Sequence, residues 1–430
     1  MIASTEVSMA KRMVIAERLA VDGGAPVRAE PMPRRIVVGE DERRAVMALF
    51  DREMSQGGGF DRYGGTEVDA YEREFAAYLG TRYATAVSSG TAAIHSALGA
   101  LRPEPGQEVI CAPITDPGAV MPVVWLNCVP VFADVDPDTF NLDPRSVAER
   151  FTERTCAIVV THLTGQPADM DPILEIARRH GRPVIEDCAQ AHGATYRGQK
   201  VGGIGRIGAF SLMGGKHTNA GGQGGMVVTD DEELYWNAKR FADRGKPFNS
   251  AERHGLFLGL NYRMTELEAA IGRVQLTKLD RVVGRRRALV AALAERIRGL
   301  EAVRLGRVAD GAEHVYWFVL LKVDAARLRV SKDEFARAVA AEGMPVRPSY
   351  DFVIYEAPWV RDRQTFGRSG WPWTRTPEGR AMRYEGSCPN ARRAIETHMV
   401  LDMHEGFGER EVEEIAAALG KVERAYLQAV

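Results

Sequence analysis

Long apolar runs are missing from this chain. The longest, around Met121 to Ala133, is interrupted by Asn127 and is too short to cross a bilayer. The opening Met1-Ile2-Ala3-Ser4-Thr5-Glu6 lacks the charged-then-apolar pattern of a secretory leader. Cysteine is scarce: 5 in 430 residues (Cys111, Cys128, Cys156, Cys188, Cys388), widely spaced, odd in number and without a C-x-x-C pair. That excludes a disulfide framework and a cysteine-based zinc site; no metal is expected, and reduced thiols in a cytoplasm are. An excess of one charge is missing too. A net charge of −2 gives no electrostatic reason to expect nucleic acid or an anionic membrane as partner. Internal repeats and low-complexity tracts are absent.

What is present is an ordinary globular composition, 45% hydrophobic and 27% charged. A chain of 430 residues is too long for one core. Residues 1–40, with Pro26, Pro31 and Pro33, read as an arm laid over the body. Residues 41–285 read as a large α/β domain, because strand and helix signals alternate there. A helix from Val68 stops at Gly80. Tyr83 to Val87 is a strand, Thr91 to Leu101 a helix, Glu108 to Ala112 a strand, then a helix and the strand Val129 to Val135. Cys156 to Val160 and Pro183 to Ile185 are buried-strand runs separated by a helix from Asp171 to His180. Gly208 to Met213 and Gly225 to Thr229 add two more strands. This alternation predicts a mostly parallel sheet with helices on both faces. A helical zone from Thr265 to about Leu300 leads into a smaller α+β domain, residues 286–430. That domain has a strand from Val315 to Val323, helices Ser331 to Glu342 and Glu409 to Tyr426, and a loop-rich insertion at 358–388.

Two residue types carry the chemistry. Lys216 lies in Phe210-Ser211-Leu212-Met213-Gly214-Gly215-Lys216-His217, ahead of the glycine-rich stretch to Gly225. Asp187 closes the apolar run Val184-Ile185-Glu186-Asp187. Pyridoxal 5′-phosphate needs both types: an amine to link to its aldehyde, and a carboxylate to keep its pyridine nitrogen protonated. Most lysines are solvated surface charges, but the glycines crowding Lys216 offer no helical face and allow a ligand to approach closely. Asp187 ends a strand of an open α/β sheet, where ligands bind in such folds. The junction Val87-Ser88-Ser89-Gly90-Thr91-Ala92 ends a strand in small residues and opens a helix, a seat for a phosphate monoester. Gly203-Ile204-Gly205-Arg206-Ile207-Gly208 spells G-x-G-x-x-G but continues as strand, so it is no dinucleotide motif.

These motifs resemble the DegT/DnrJ/EryC1/StrS family of sugar and cyclitol aminotransferases, of aspartate-aminotransferase-like fold (fold type I). The resemblance rests on Leu19-Ala20-Val21-Asp22-Gly23-Gly24, Ser89-Gly90-Thr91, Glu186-Asp187-Cys188-Ala189-Gln190, Ser211 with Lys216, and Gly259-Leu260-Asn261-Tyr262-Arg263-Met264, in family order over nearly the whole chain. It implies that Gly90, Thr91, Ala92 and Ser211 hold the cofactor phosphate. Asp187 would meet the pyridine nitrogen, Gln190 the ring hydroxyl, and Ala189 one face of the ring. Asn261 would reach the phosphate of a neighbouring subunit, making a homodimer with shared sites. The resemblance further implies an amino-acid donor, glutamine or glutamate, and a keto-sugar or keto-cyclitol acceptor. The chain departs from the pattern at Asp116, which occupies the position of an aromatic residue that stacks on the cofactor. It departs again in the loop from Lys216 to Gly224, one residue longer, with Gln223 in place of a glutamate. His217 is either a pocket acid or base or a packing residue. Transamination is the expected reaction; a dehydratase or lyase with the same cofactor, or a non-catalytic regulator reusing the fold, are the alternatives.

Overall fold

The computed structural model describes residues 18–57, 59–350 and 352–428. The first 17 residues of the expected arm, with the segment read for a leader, lie outside the described residues.

Alternation of side chains between two faces organises the centre of the molecule. The strands are β1 (Tyr83–Val87), β2 (Glu108–Cys111), β3 (Val129–Phe132), β4 (Thr155–Thr161), β5 (Val184–Asp187), β6 (Thr195–Tyr196), β7 (Gln199–Lys200), β8 (Ile207–Ser211) and β9 (Gly225–Thr229). Seven of them form one sheet in the order β1-β9-β8-β5-β4-β2-β3. Only β9 runs against its neighbours; the other pairings are parallel. Val109, Val159, Ile185, Ala209 and Val227 face one core, against the helix Gly90–Ala100. Their neighbours turn to the opposite face: Phe210, Met226 and Val228 pack under the helix Gly65–Leu79, and Ile110, Ile158 and Val184 under the helix Met170–Arg179. A sheet buried on both faces needs strands that are mostly apolar on both, as these are, with the polar exceptions mainly at strand ends such as Glu108, Asp187 and Ser211. This is the expected α/β architecture of the type I fold.

The C-terminal part is built on β10 (Val303–Leu305), β11 (Ala312–Glu313), β12 (Val319–Val323), β13 (Val346–Arg347) and β14 (His398–Leu401). Four of these form an antiparallel sheet, β10-β12-β14-β13, while β11 extends the β6–β7 hairpin. Leu293, Phe335, Leu419 and Val422 cover this second sheet, and Leu19 of the N-terminal segment joins them.

Helix starts follow the sequence closely. Thr265 and Glu268, and Ser331 and Glu334, form reciprocal capping boxes at the helices Glu266–Ile297 and Lys332–Ala341. The first of these runs unbroken through the expected boundary at 285/286. The strand expected from Val315 starts instead at Val319. Tyr316 has φ +52°, and the N–H groups of Val315 and Trp317 donate to Gly165 and Thr164 O at 2.9 and 2.7 Å. The backbone is spent on a neighbouring loop there and cannot join the ladder. Within 358–388 the chain forms only short helical turns, at Pro358–Arg361, Trp373–Arg375 and Pro377–Ala381. The G-x-G-x-x-G run ends inside β8, where a side chain on Gly208 would meet Gly202 O at 2.3 Å. Among the described residues, no helix is long and apolar enough to cross a membrane.

Candidate active site

The parallel strands bring their carboxyl ends to one edge, and the predicted residues gather there. β1 runs into Ser88 and Ser89, whose side chain caps the helix Gly90–Ala100 by accepting the N–H of Ala92 at 3.0 Å. The Gly90 and Thr91 N–H groups open that helix with no acceptor inside it; Ala92 spends its own on the cap. β8 comes so near that a methyl group on Gly90 would lie 2.5 Å from Ser211 Cβ. Only glycine allows this approach.

Asp187 ends β5. It is 5% exposed, and it accepts the N–H of Ala189 at 3.0 Å and the Thr161 hydroxyl at 3.2 Å. Burial pushes its carboxyl above the ordinary aspartate value, against the pull of those donors and of Lys216. A closed set stands behind it. His162 Nε2 donates to Glu186 at 3.0 Å, and Glu186 also accepts the N–H groups of Gly202, Ile204 and Gly205. His162 Nδ1 takes the N–H of Ala168. With Cys188, these residues are spaced as a metal site would be, yet the lone pairs of His162 and Glu186 are already used in fixing the β5 terminus. The His162 N–H donates to Asp187 O at 3.0 Å. Gln190, next along, accepts the N–H of Thr164 at 2.8 Å and reaches the Tyr350 hydroxyl at 3.4 Å.

Lys216 is held in a loop closed by Leu212 N–H to Gly224 O and Gly214 N–H to Gly222 O. Its half-buried amine lies 4.7 Å from the centre of the Trp317 ring. Desolvation lowers its pKa, opposed by the carboxylates of Asp187 and Asp116. Lys216 shares a cavity of about 390 Å³ with Asp116, Gln190, Trp317, Tyr350 and Phe352. Arg35, Arg286 and Arg347 also reach this cavity. Glu405 joins Arg35 and Arg286 at 2.6 and 2.8 Å, and Arg35 donates to Gly215 O beside the lysine.

Sequence reading did not find Arg35, Arg286, Trp317, Tyr350, Phe352 or Glu405. Their meeting is set by contacts distant in the chain, and only the aromatic pair Tyr350 and Phe352 after Arg347-Pro348 left a trace. His217 is not in this cavity. It turns behind the loop, with Nε2 3.1 Å from Val315 O and Nδ1 buried without a partner among the described residues. Burial keeps it neutral by driving its pKa well below the ordinary histidine value. Of the two readings of His217, this placement matches packing. Asn261 is exposed, bridged to Asp243, and lines no part of the cavity that holds Lys216. The insertion is absent from that cavity too. It lines a separate one of about 730 Å³, with Tyr355, Arg363, Arg383 and Tyr384. That space is larger, but Lys216 is not in it.

The residues present fit pyridoxal phosphate. Lys216 opens into the cavity beside Gln190, and the buried carboxylate of Asp187, three residues before Gln190, is near enough for each charge to act on the other without an ion pair among the described residues. The Gly90 and Thr91 N–H groups start their helix against Ser211, and Gly118 packs between the Thr91 hydroxyl and Asp116, a cavity residue. Such an arrangement leaves a space for a planar cationic ring carrying a phosphate.

Comparison with known proteins agrees. The sequence profile of the DegT/DnrJ/EryC1/StrS aminotransferase family matches residues 47–420. GDP-perosamine synthase of Caulobacter vibrioides is 38% identical over 288 residues, covering 66% of this chain and 76% of that protein. L-glutamine:2-deoxy-scyllo-inosose aminotransferase of Streptomyces paromomycinus is 34% identical over 424 residues, covering 94% of this chain and 97% of that protein. The solved structure of an aminotransferase from Psychrobacter cryohalolentis superimposes with a TM-score of 0.81 at 30% identity, over 92% of this chain and 99% of that one. Fold, strand-end residues and likeness converge: this chain is an aminotransferase and belongs to the DegT/DnrJ/EryC1/StrS family.

Proposed function

We propose that this aminotransferase takes an amino group from glutamine or glutamate and delivers it to the ketone of a sugar or cyclitol, as part of secondary-metabolite or sugar biosynthesis in the cytoplasm. The observation that carries the reading is Lys216 in a cavity, within electrostatic reach of the buried Asp187 at the end of β5 yet not ion-paired with it among the described residues. The names of the two relatives, one acting in perosamine formation and one on 2-deoxy-scyllo-inosose, support a carbohydrate-like acceptor.

Pyridoxal phosphate, when bound, supplies the electron sink that lets the substrate carbon lose and regain a proton. The chain's own residues do the rest. Lys216 Nζ, made less basic by burial, is the amine and the base in the cavity. Asp187, fixed by Ala189 and Thr161, holds a proton on the ring nitrogen by its charge. Gly90 and Thr91 N–H and the Ser211 hydroxyl would hold the phosphate, with Ala92 anchoring that helix end, and Ala189 and Gln190 would line the ring. Donor and acceptor use the one cavity in turn. The division into 41–285 and 286–430 places this site between the two sheets, with Asn261 reaching a neighbouring subunit's phosphate in a homodimer.

The test is a pair of half-reactions. Glutamine or glutamate should bleach the cofactor's long-wavelength absorbance, and an inosose or keto-sugar should restore it. A purified enzyme whose band responds to no amino acid would sink the proposal. For the shared site, Asn261→Ala and Lys216→Ala subunits, each impaired alone, should regain activity on verified exchange. No regain would return Asn261 to a local turn role.

A further inference from the structure

The wall of the Lys216 cavity carries a charge pattern that narrows the acceptor. Three guanidiniums reach it, and all are committed. Arg35 and Arg286 share Glu405, and Arg286 also donates to the Tyr316 and Trp317 carbonyls at 2.7 and 3.0 Å. Arg347 is forked onto Asp402 at 2.9 and 3.1 Å. His404, also on this wall, sits between the Pro33 carbonyl and the Gly406 N–H.

Apart from Lys216, which is reserved for the cofactor and feels the charge of Asp116, the uncommitted charge in the cavity is negative. Asp116 uses one oxygen to accept the Gly118 N–H at 2.8 Å and forms no ion pair among the described residues. Beside it stands Phe352, 48% exposed. Its position is set by pairing of 352–354 with 113–115: Thr115 N–H to Phe352 O at 3.3 Å and Ile354 N–H to Pro113 O at 2.8 Å. The Phe352 ring meets Tyr350 edge-on at 5.6 Å, and Tyr350 stacks on Phe318 at 5.3 Å.

Resting on the proposed transamination, we infer that the acceptor is an uncharged polyhydroxylated ring, a cyclitol or free sugar, and not a sugar esterified to a nucleoside diphosphate. Asp116 and Phe352 are the residues that select it. A pyrophosphate brought to this wall would face a carboxylate and find every guanidinium engaged, so binding it means breaking an existing ion pair. A polyol instead donates a hydroxyl to the free oxygen of Asp116 and lays its C–H face on Phe352. Each contact satisfies a group already exposed in the cavity.

The experiment compares two acceptors on the donor-loaded holoenzyme, 2-deoxy-scyllo-inosose and a nucleoside-diphosphate 4-keto sugar. The wild type should prefer the inosose by at least about 100-fold in kcat/KM. Asp116→Asn should shrink that ratio at least about tenfold, as the charge that repels phosphate disappears; a purely structural role would lower both rates alike and leave the ratio fixed. Phe352→Ala should raise KM for the inosose more than it lowers kcat. Calorimetry on the holoenzyme with unreactive scyllo-inositol and with GDP separates the two proposals. If no donor reacts, transamination falls, while binding of scyllo-inositol but not GDP still supports this selection. Preference for the nucleotide-linked sugar, an unchanged ratio in Asp116→Asn, or GDP binding without inositol binding overturns it.

Discussion

Of the lysine–carboxylate partnerships in this molecule, two are built in opposite ways. Lys421 and Glu342 bond directly at 2.9 Å, with side chains 4% and 0% exposed. Glu342 also accepts the N–H groups of Ala20 and Val27, and Lys421 donates to Ala25 O. Every strong donor and acceptor there is answered, and the result pins the N-terminal segment to the second sheet. Lys216 and Asp187 feel each other's charge but form no ion pair. A satisfied buried pair is a fastening; an unsatisfied one is kept at a cost to stability, which suits a group that must bond to something else.

The largest effect that would sharpen this contrast is Lys216→Ala. Turnover should fall below about one-thousandth of wild type, because no other amine is placed to make the link or carry the proton. The cofactor-free variant should be at least as stable as wild type at neutral pH. The sign follows from a folded pKa below 10.5: the unfolded chain holds the proton more tightly, so Lys216 costs stability below that pH. Thermal melts of the cofactor-free proteins at pH 7 check this, and a marked loss of Tm would erase the distinction between the pairs.

Glu342→Gln should do the reverse. It leaves a buried ammonium without its counter-charge, and about 3–5 kcal/mol of unfolding free energy should vanish in urea titrations. The donor half-reaction of the protein that stays folded reads whether any of that damage spreads to the cavity.

Asp187→Asn ranks next. Losing the charge at the ring nitrogen should slow turnover roughly a hundredfold, about 3 kcal/mol. The cofactor-free variant should again lose no stability at pH 7. Asp187 has a folded pKa raised above 3.8, so its ionised form is a cost above that pH. A rate within a few-fold of wild type would mean that the wrong carboxylate has been assigned.

The smallest effect extends the contrast to histidine. Burial lowers His192 and His314 to about 3 and His95 and His398 to about 4. A depressed histidine lets the unfolded state protonate first, so stability is whole above about pH 6.5 and is lost as pH falls toward 4, by up to about 1.4 kcal/mol per unit for each group. Tm measured from pH 7.5 to 5 should drop, and His314→Gln should flatten the slope. A flat profile in the wild type would contradict this.

How much of this was legible in the sequence depended on the range of the interactions. Thr265 and Glu268, or Ser331 and Glu334, announce their helices because the bonds close within three residues. The strand-end positions of Asp187 and Ser211 follow from buried runs of four and five residues. Val315 to Phe318 looks like strand and is not, because its partner is the distant loop at Thr164 and Gly165. β14 escaped notice as four residues beginning with His398, too short to show a period. His217 shows the limit most simply: a neighbour of Lys216 in sequence, it points into another part of the protein, and no local signal says so.

The helix Glu266–Ile297 has a mechanical consequence. At about 1.5 Å per residue its 32 residues form a rod of about 48 Å. Its first half, through Leu276 and Leu279, is embedded in the core of the seven-stranded sheet, and its second half, through Leu289 and Leu293, in that of the four-stranded one. Arg286 lies between, holding the carbonyls beside Trp317. Bending this rod at 285/286 would break the helical ladder at mid-span, so it acts as a keel that sets the spacing of the cavity walls. Entry and exit then fall to exposed side chains at the rim, Phe352 among them, and trimming that ring should alter exchange rates while the hull keeps its shape.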